Sequence, residues 1–241
     1  MTAQSGRVLD DFLLIESASE KKNQAPGKHA ERMLSGRVSG FQEPSLAFIP
    51  AQIQPFTFYD QEVTLLGEQY VNPLGQAGLR SYNFILEDTV WNAVGDTILY
   101  ISFFPRRGTL SKCLRGSFHI QLPGYAVKTV NASTAQSDES IHLSIRQNYR
   151  QYERDIWFPD ELESKLRITS LMASPVVALG RSYLAAVNFH PKFERGTFSG
   201  PDFSDAGISS KAEDLERYRC LPLTTSDSLT MQLLDSLSQR I

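Results

Sequence analysis

The sequence has few of the residues that carry metal, redox or nucleophilic chemistry. Its 241 residues include two cysteines and four histidines. None of these lies at metal-ligand spacing from another. The motifs of serine hydrolases, P-loop proteins and dinucleotide-binding folds are absent. No motif defines a reaction, and we predict neither a metal site nor a cofactor.

Long apolar runs and an excess of charge are also lacking. No stretch reaches the ~18 apolar residues of a membrane helix, and the first residues lack the apolar core of a secretory signal. A net charge of −3 gives no reason to expect a nucleic-acid partner. We predict a soluble, cytoplasmic protein, or one secreted by a non-classical route, without membrane insertion. Cys113 and Cys220 are then expected to be free thiols.

Short runs of β-forming residues, separated by turn residues, dominate the sequence from residue 45 onward. A spacing of roughly 8–12 residues between such runs is typical of sandwiches and jelly rolls. We predict an all-β, antiparallel β-sandwich of the jelly-roll type over residues 45–191. The clearest runs are Thr97–Phe104, Leu114–Leu122, Tyr125–Val130, Ser140–Gln147 and Gln151–Phe158.

The flanking segments have a different composition. Residues 1–44 are predicted to be a largely flexible extension, with a short helix within Val8–Ser19 and a polar linker over 20–28. Residues 192–241 are predicted to form a loop and then an amphipathic helix capped by Ser226 or Asp227. The apolar stripe of this helix is expected to pack on the protein's own sheet, with partner binding as the alternative. The stripe consists of Leu229, Leu233, Leu234, Leu237 and Ile241.

Strand alternation separates apolar from polar positions. Within Ser140–Gln147, Leu143 and Ile145 are predicted to face opposite to His142 and Arg146. Sandwich lectins bind sugars on such a mixed face, because aromatic rings stack on the sugar while polar groups bond its hydroxyls. A plain solvated face is the alternative. In Thr97–Phe104 the alternation separates Leu99, Ile101 and Phe103 from Tyr100, Ser102 and Phe104.

Two stretches, Arg80–Pro105 and Lys128–Val177, resemble the carbohydrate-recognition domain of galectins, the fungal ones in particular. The run Leu99-Tyr100-Ile101-Ser102-Phe103-Phe104-Pro105 lies where a galectin has its Leu-His-Ile-Ser-Ile-Arg-Pro type strand. The resemblance implies a galectin-like or concanavalin-like sandwich that binds glycans. The later strands follow in the family's order at Glu139–Arg146, Gln151–Phe158 and Ser174-Pro175-Val176.

The sequence departs from the galectin pattern at the sugar-binding positions. Tyr100 and Phe104 replace the family's His and Arg, and its sugar-stacking Trp is missing from Gly116–Leu122. Cys113 and Arg115 lie near the family's Asn and Arg. The resemblance therefore implies that sugar contacts are rebuilt from other residues. The candidates are Tyr100, Ser102, Arg115, His119, His142 and Arg146.

Two alternative functions stay open. Glu153 and Asp155 resemble the Glu-x-Asp motif of retaining jelly-roll endoglucanases, although a strand places them about 7 Å apart and this chemistry needs ~5–5.5 Å. The other alternative is protein–protein assembly, including a homo-oligomer, through the Leu229–Ile241 stripe or an open sheet edge. Our first hypothesis is a divergent, non-enzymatic lectin with a glycan ligand.

Overall fold

The computed structural model describes residues 13–24, 28–40, 53–54, 57–91, 95–135, 140–153, 156–169, 176–200, 203–204 and 215–238. The chain forms two compact units. The first comprises residues 1–24, 28–49 and 192–241, and the second comprises 25–27 and 50–191. Both are built mainly from antiparallel strands. The prediction of a mostly β, antiparallel fold with a C-terminal helix is therefore confirmed.

The elements are numbered in chain order. They are β1 (Leu13–Gln24), β2 (Lys28–Gly40), β3 (Glu62–Leu65), β4 (Glu68–Val71), α1 (Gly78–Ser81), β5 (Tyr82–Trp91), β6 (Thr97–Pro105), β7 (Leu114–Leu122), β8 (Ala126–Thr134), β9 (Ile141–Glu153), β10 (Ile156–Ile168), β11 (Val176–Tyr183), β12 (Phe203–Ser204) and α2 (Thr225–Ser238).

The second unit is organised around one sheet of seven antiparallel strands, β5 to β11. Each strand pairs with the strands that precede and follow it in sequence, so the sheet is a meander. A jelly roll instead contains strands that return to non-consecutive neighbours in a second sheet. The jelly-roll sandwich is not confirmed. In the described part of this unit the outer edges of β5 and β11 have no strand partner, and assembly through an open edge stays a prediction.

Strand β10 is longer than the sequence predicts. The sequence predicts a run, Gln151–Phe158, that ends before Pro159, because proline interrupts strand pairing. Instead the strand continues past Pro159, where the register with β9 shifts between Pro159 and Glu161. A β-bulge of this kind accommodates a residue that has no backbone N–H. The predicted break is therefore wrong, and the bulge is its physical reason.

One face of the sheet forms the core of the second unit. Phe103, Phe118, Val130 and Leu143 are all buried on it, and the Phe103 and Phe118 rings stack with centroids 4.5 Å apart. We call this the apolar face. Tyr82 is also fully buried and makes an edge contact with Phe103.

The segment that precedes the sheet covers the apolar face. The backbone N–H of Phe58 donates to the hydroxyl of Tyr149 at 2.9 Å, and the N–H of Val127 donates to the hydroxyl of Tyr59 at 3.0 Å. The β3–β4 hairpin follows in the same segment, and its Val63 is buried. These contacts exclude water from the apolar face, and the hydrogen bonds satisfy its few polar groups.

The first unit contains a long antiparallel hairpin of β1 and β2, with β12 parallel to β2. The predicted helix within Val8–Ser19 is wrong for its described part, since β1 begins at Leu13. Strand pairing is a non-local interaction, and the polar sequence of this segment did not reveal it. The predicted flexibility of residues 1–44 stays a prediction.

Helix α2 packs on β1 and β2, and its position differs in detail from the prediction. Thr224 provides the cap in place of Ser226 or Asp227: its hydroxyl accepts from the N–H of Asp227 at 3.1 Å. The Asp227 carboxylate accepts in return from the N–H of Thr224 at 3.2 Å, which completes a capping box.

The predicted stripe of α2 is only partly buried. Met231 and Leu234 are buried, whereas Leu229 and Leu233 are about half exposed. The helix therefore turns its Met231 side, rather than its Leu229 side, toward the hairpin. Arg37 of β2 also forms an ion pair with Asp235 of the helix. The Leu237 side chain and Ile241 lie outside what the structure describes.

Candidate functional site

The face of the large sheet opposite the apolar face carries polar side chains from six neighbouring strands. We call it the polar face and describe it as four rows, each running across the strands in register. Neighbouring strands lie ~4.8 Å apart and successive rows ~6.6 Å apart. Row one is Tyr100, His119, Thr129, Asn148 and Glu161; row two is Ser102, Ser117, Asn131, Arg146, Glu163 and Arg181; row three is Arg115, Ser133, Ser144 and Lys165; row four is His142 and Arg167.

Row one begins with two rings in contact. The centroids of Tyr100 and His119 lie 4.2 Å apart, with the ring planes tilted by 44°. The row continues as a chain of hydrogen bonds: the hydroxyl of Thr129 donates to Asn148 at 3.3 Å, and the amide of Asn148 donates to Glu161 at 3.0 Å. An aromatic surface and fixed polar groups therefore lie side by side.

The position of His119 affects its protonation. Partial burial lowers the pKa of His119 below its ordinary value, and the positive charge of Arg146 lowers it further. The neutral imidazole is therefore favoured near neutral pH. A neutral ring both donates and accepts a hydrogen bond.

Row two contains an arginine, Arg146, that has no carboxylate partner in the described part of the chain. Glu163 lies beside Arg146 in the register, yet it accepts from Arg181 on its other side at 2.8 Å. Arg146 makes no ion pair with any residue that the structure describes, and it is exposed. Its guanidinium therefore presents several N–H donors to the solvent.

Rows three and four add cations and hydroxyl groups. Arg115, Lys165 and Arg167 are exposed, and the Arg115 guanidinium donates to the backbone carbonyl of Ala135 at 3.0 Å. His142 lies within 3.3 Å of the Ser144 hydroxyl. Rows three and four are thus richer in positive charge than row one.

All six predicted ligand-binding residues lie on the polar face, in four adjacent rows. Tyr100 and His119 are in row one, Ser102 and Arg146 in row two, Arg115 in row three and His142 in row four. Their role in binding stays a prediction.

Sequence reasoning missed Asn148 of β9 and the polar-face residues of β8 and β10. Alternation along Lys128–Thr134 and Glu161–Arg167 was the signal that would have revealed them. The predicted break after Pro159 hid the second of these stretches. The missed residues are Thr129, Asn131, Ser133, Asn148, Glu161, Glu163, Lys165 and Arg167.

The structure describes only one of the two carboxylates of the hydrolase alternative. Glu153 is exposed at the end of β9, and its carboxylate lies 3.9 Å from Nε2 of His190. Asp155 lies outside the described residues, so the carboxylate pair stays a prediction.

The described residues offer no metal site. They include no group of three or more His, Cys, Asp or Glu side chains placed to hold a metal ion. The expectation of free cysteines is confirmed: Cys113 is buried, Cys220 is exposed, and both are free thiols. Within the described ranges no helix has the length and apolar character needed to cross a membrane.

Comparison with known proteins gives one result. The model of a family of unknown function, DUF5686, matches residues 4–183. The chain belongs to this family. The matched region includes the hairpin of the first unit and the whole seven-stranded sheet, so the polar face lies within it. Searches of the curated proteins and of the solved structures found no match to the chain.

Proposed function

We propose that this DUF5686 member is a non-enzymatic binding protein that holds a carbohydrate on its polar face. The observation that carries the proposal is the Tyr100–His119 ring pair, with centroids 4.2 Å apart, set beside amide, hydroxyl and guanidinium groups. Sugars have an apolar ring face and a rim of hydroxyl groups, and they need both kinds of contact. The resemblance to galectins supports the same ligand class.

The mechanism is recognition without bond breaking. The Tyr100 and His119 rings provide the apolar platform for a sugar ring. Ser102, Asn131 and Arg146 occupy the next row, where hydroxyl, amide and guanidinium groups donate and accept hydrogen bonds. Recognition uses only these side chains of a single sheet face, so it does not require the sheet to be half of a jelly-roll sandwich.

A glycan-array screen of the full-length protein, with a thermal-shift measurement on each hit, tests this proposal. We expect a reproducible hit that raises the melting temperature. Tyr100→Ala and Arg146→Ala should each abolish glycan retention, because they remove the platform and a charged donor. Neither should change the melting temperature by more than about 2 °C, since surface substitutions change stability little.

Matched controls come from exposed residues outside the polar face. Tyr125→Ala removes a tyrosine that is 74% exposed in the turn between β7 and β8, and Arg107→Ala removes an exposed loop arginine. Both should retain the glycan. Normal retention by the Tyr100 and Arg146 variants, or a blank array, would overturn the proposal.

A further inference from the structure

The positive charges of the polar face are concentrated in some rows, and most of them have no ion-pair partner among the described residues. Four exposed cations, Arg115, Arg146, Lys165 and Arg167, occupy rows two to four. We call them the cation group. None of them makes an ion pair with a residue that the structure describes. The chain as a whole carries a net charge of −3, so this group is a local reversal of sign.

Three other cations of the same unit are paired. Lys112 lies 2.7 Å from Glu68, Arg150 lies 3.6 Å from Asp160, and Arg181 lies 2.8 Å from Glu163. The cation group is distinguished by its clustering, since its four members lie together in rows two to four, on strands β7, β9 and β10. The other described cations of the unit without an ion pair lie outside the four rows; they are Arg80, Arg106, Arg107 and Lys128.

None of the acids that the structure describes on this face makes an ion pair with the cation group. Glu163 accepts from Arg181, and Glu161 accepts from Asn148 while lying 3.9 Å from Arg181. Asp88 is opposite Tyr100 in the register, on the edge strand β5 and next to the Tyr100 end of row one. Its carboxylate accepts from the N–H of Thr89 at 2.7 Å. The described acids thus lie at the two ends of row one and, as Glu163, in row two beside Arg181, whereas the four cations occupy rows two to four.

We infer that the ligand of the polar face is an acidic carbohydrate, whose carboxylate or sulfate groups bind the cation group. The inference rests on the proposed function and specifies its ligand class. A sugar ring on the row-one platform places the next parts of an oligosaccharide, running along the strands, over the cations. Arginine binds carboxylate and sulfate oxygens with paired, charge-assisted hydrogen bonds. Hydroxyl groups of Ser133 and Ser144 lie between the cations and supply further donors.

The test is a set of calorimetric titrations of the full-length protein at pH 7 and low salt. One pair of probes is hexagalacturonate and its fully methyl-esterified form, in which a methyl group on each carboxyl removes its charge. A second pair is sulfated and unsulfated maltohexaose, which distinguishes sulfate from carboxylate recognition. A single-stranded oligonucleotide is the non-carbohydrate polyanion.

We expect at least one acidic probe to bind about tenfold or more tightly than its neutral counterpart, since one charge-assisted hydrogen bond provides that difference. Added salt should weaken this binding, because it screens exposed charges. The double variant Lys165→Gln/Arg167→Gln should lose the preference. Arg150→Gln is the matched control: it removes an exposed, already paired arginine of β9 and should keep the preference.

Each other outcome has a defined meaning. Equal binding of acidic and neutral probes would overturn the inference and leave the proposed function intact. Binding of no carbohydrate would overturn both. Equally tight binding of the oligonucleotide would show a general polyanion site and overturn the assignment to carbohydrate. Full preference in the double variant would also overturn the inference, because the acidic groups would then bind without half of the cation group.

Discussion

The two faces of the large sheet are built from the same strands, yet they differ in nearly every physical property. On the apolar face, Phe103 and Phe118 stack beneath a covering segment and are almost inaccessible to water. On the polar face, Arg146 and Lys165 are exposed, and in the described residues no segment covers them. Since alternate residues of each strand supply the two faces, a single sequence periodicity produces both.

The comparison separates residues required for folding from residues available for binding. Burial of a large aromatic side chain contributes about 1.5–3 kcal/mol to stability, whereas an exposed polar side chain contributes little. The Tyr100–His119 contact and the Thr129–Asn148–Glu161 chain therefore add little to the stability of the fold. These residues can serve recognition without loss of the core.

The largest effect is expected from the apolar face. Phe118→Ala should lower the free energy of unfolding by about 3–5 kcal/mol, because it leaves a cavity beneath the covering segment. Phe118 is only 2% exposed and stacks on Phe103. Denaturant unfolding measures the change. Ser117→Ala, one residue away on the polar face, is the control and should change the value by no more than about 0.5 kcal/mol. Equal losses in the two variants would contradict the division between the faces.

A smaller effect is expected from Arg146 on the polar face. Burial and the Arg146 charge lower the pKa of His119, so Arg146→Ala should raise that pKa toward its ordinary value near 6.5. Stability should change by no more than about 0.5 kcal/mol at neutral pH. An NMR titration of the His119 ring measures the pKa. Arg150→Ala is the control, and an unchanged His119 pKa in the Arg146 variant would show that the two side chains do not interact.

The sign of the pH dependence follows from the same shift. The unfolded chain protonates His119 at a higher pH than the folded chain does, so this residue's contribution to stability is present above pH ~6.5. It is lost as the pH falls through the lower, folded-state pKa. In Arg146→Ala this acid-induced loss should be smaller than in the wild type.

The sequence revealed the alternation of the strands but not their pairing. Period-two alternation predicts that Leu143 and Ile145 lie on the opposite face of the strand from His142 and Arg146. In β9 the first two side chains are buried and the other two are exposed, as predicted. The continuation of β10 past Pro159 did not follow, because a bulge depends on the partner strand.

In two elements of the first unit, too, the sequence did not predict which segments pair or pack together. The β1–β2 hairpin is held by cross-strand pairing along a polar sequence, so composition alone suggested a linker. In α2 the periodic stripe identified a helix, while the hairpin surface determines that Met231 and Leu234 are buried. The polar rows required the register, which places Arg146 of β9 in row two and Lys165 of β10 one row away, opposite Ser144.

Hydroxyl-radical footprinting of the full-length protein with its array hit tests the central claim most directly. The account predicts that saturating glycan protects Tyr100, His119 and His142 on the polar face. The exposed Tyr125 should remain as reactive as in the free protein. Protection of Tyr125 with unchanged reactivity at Tyr100 and His119 would contradict the account, because binding would then occur away from the polar face.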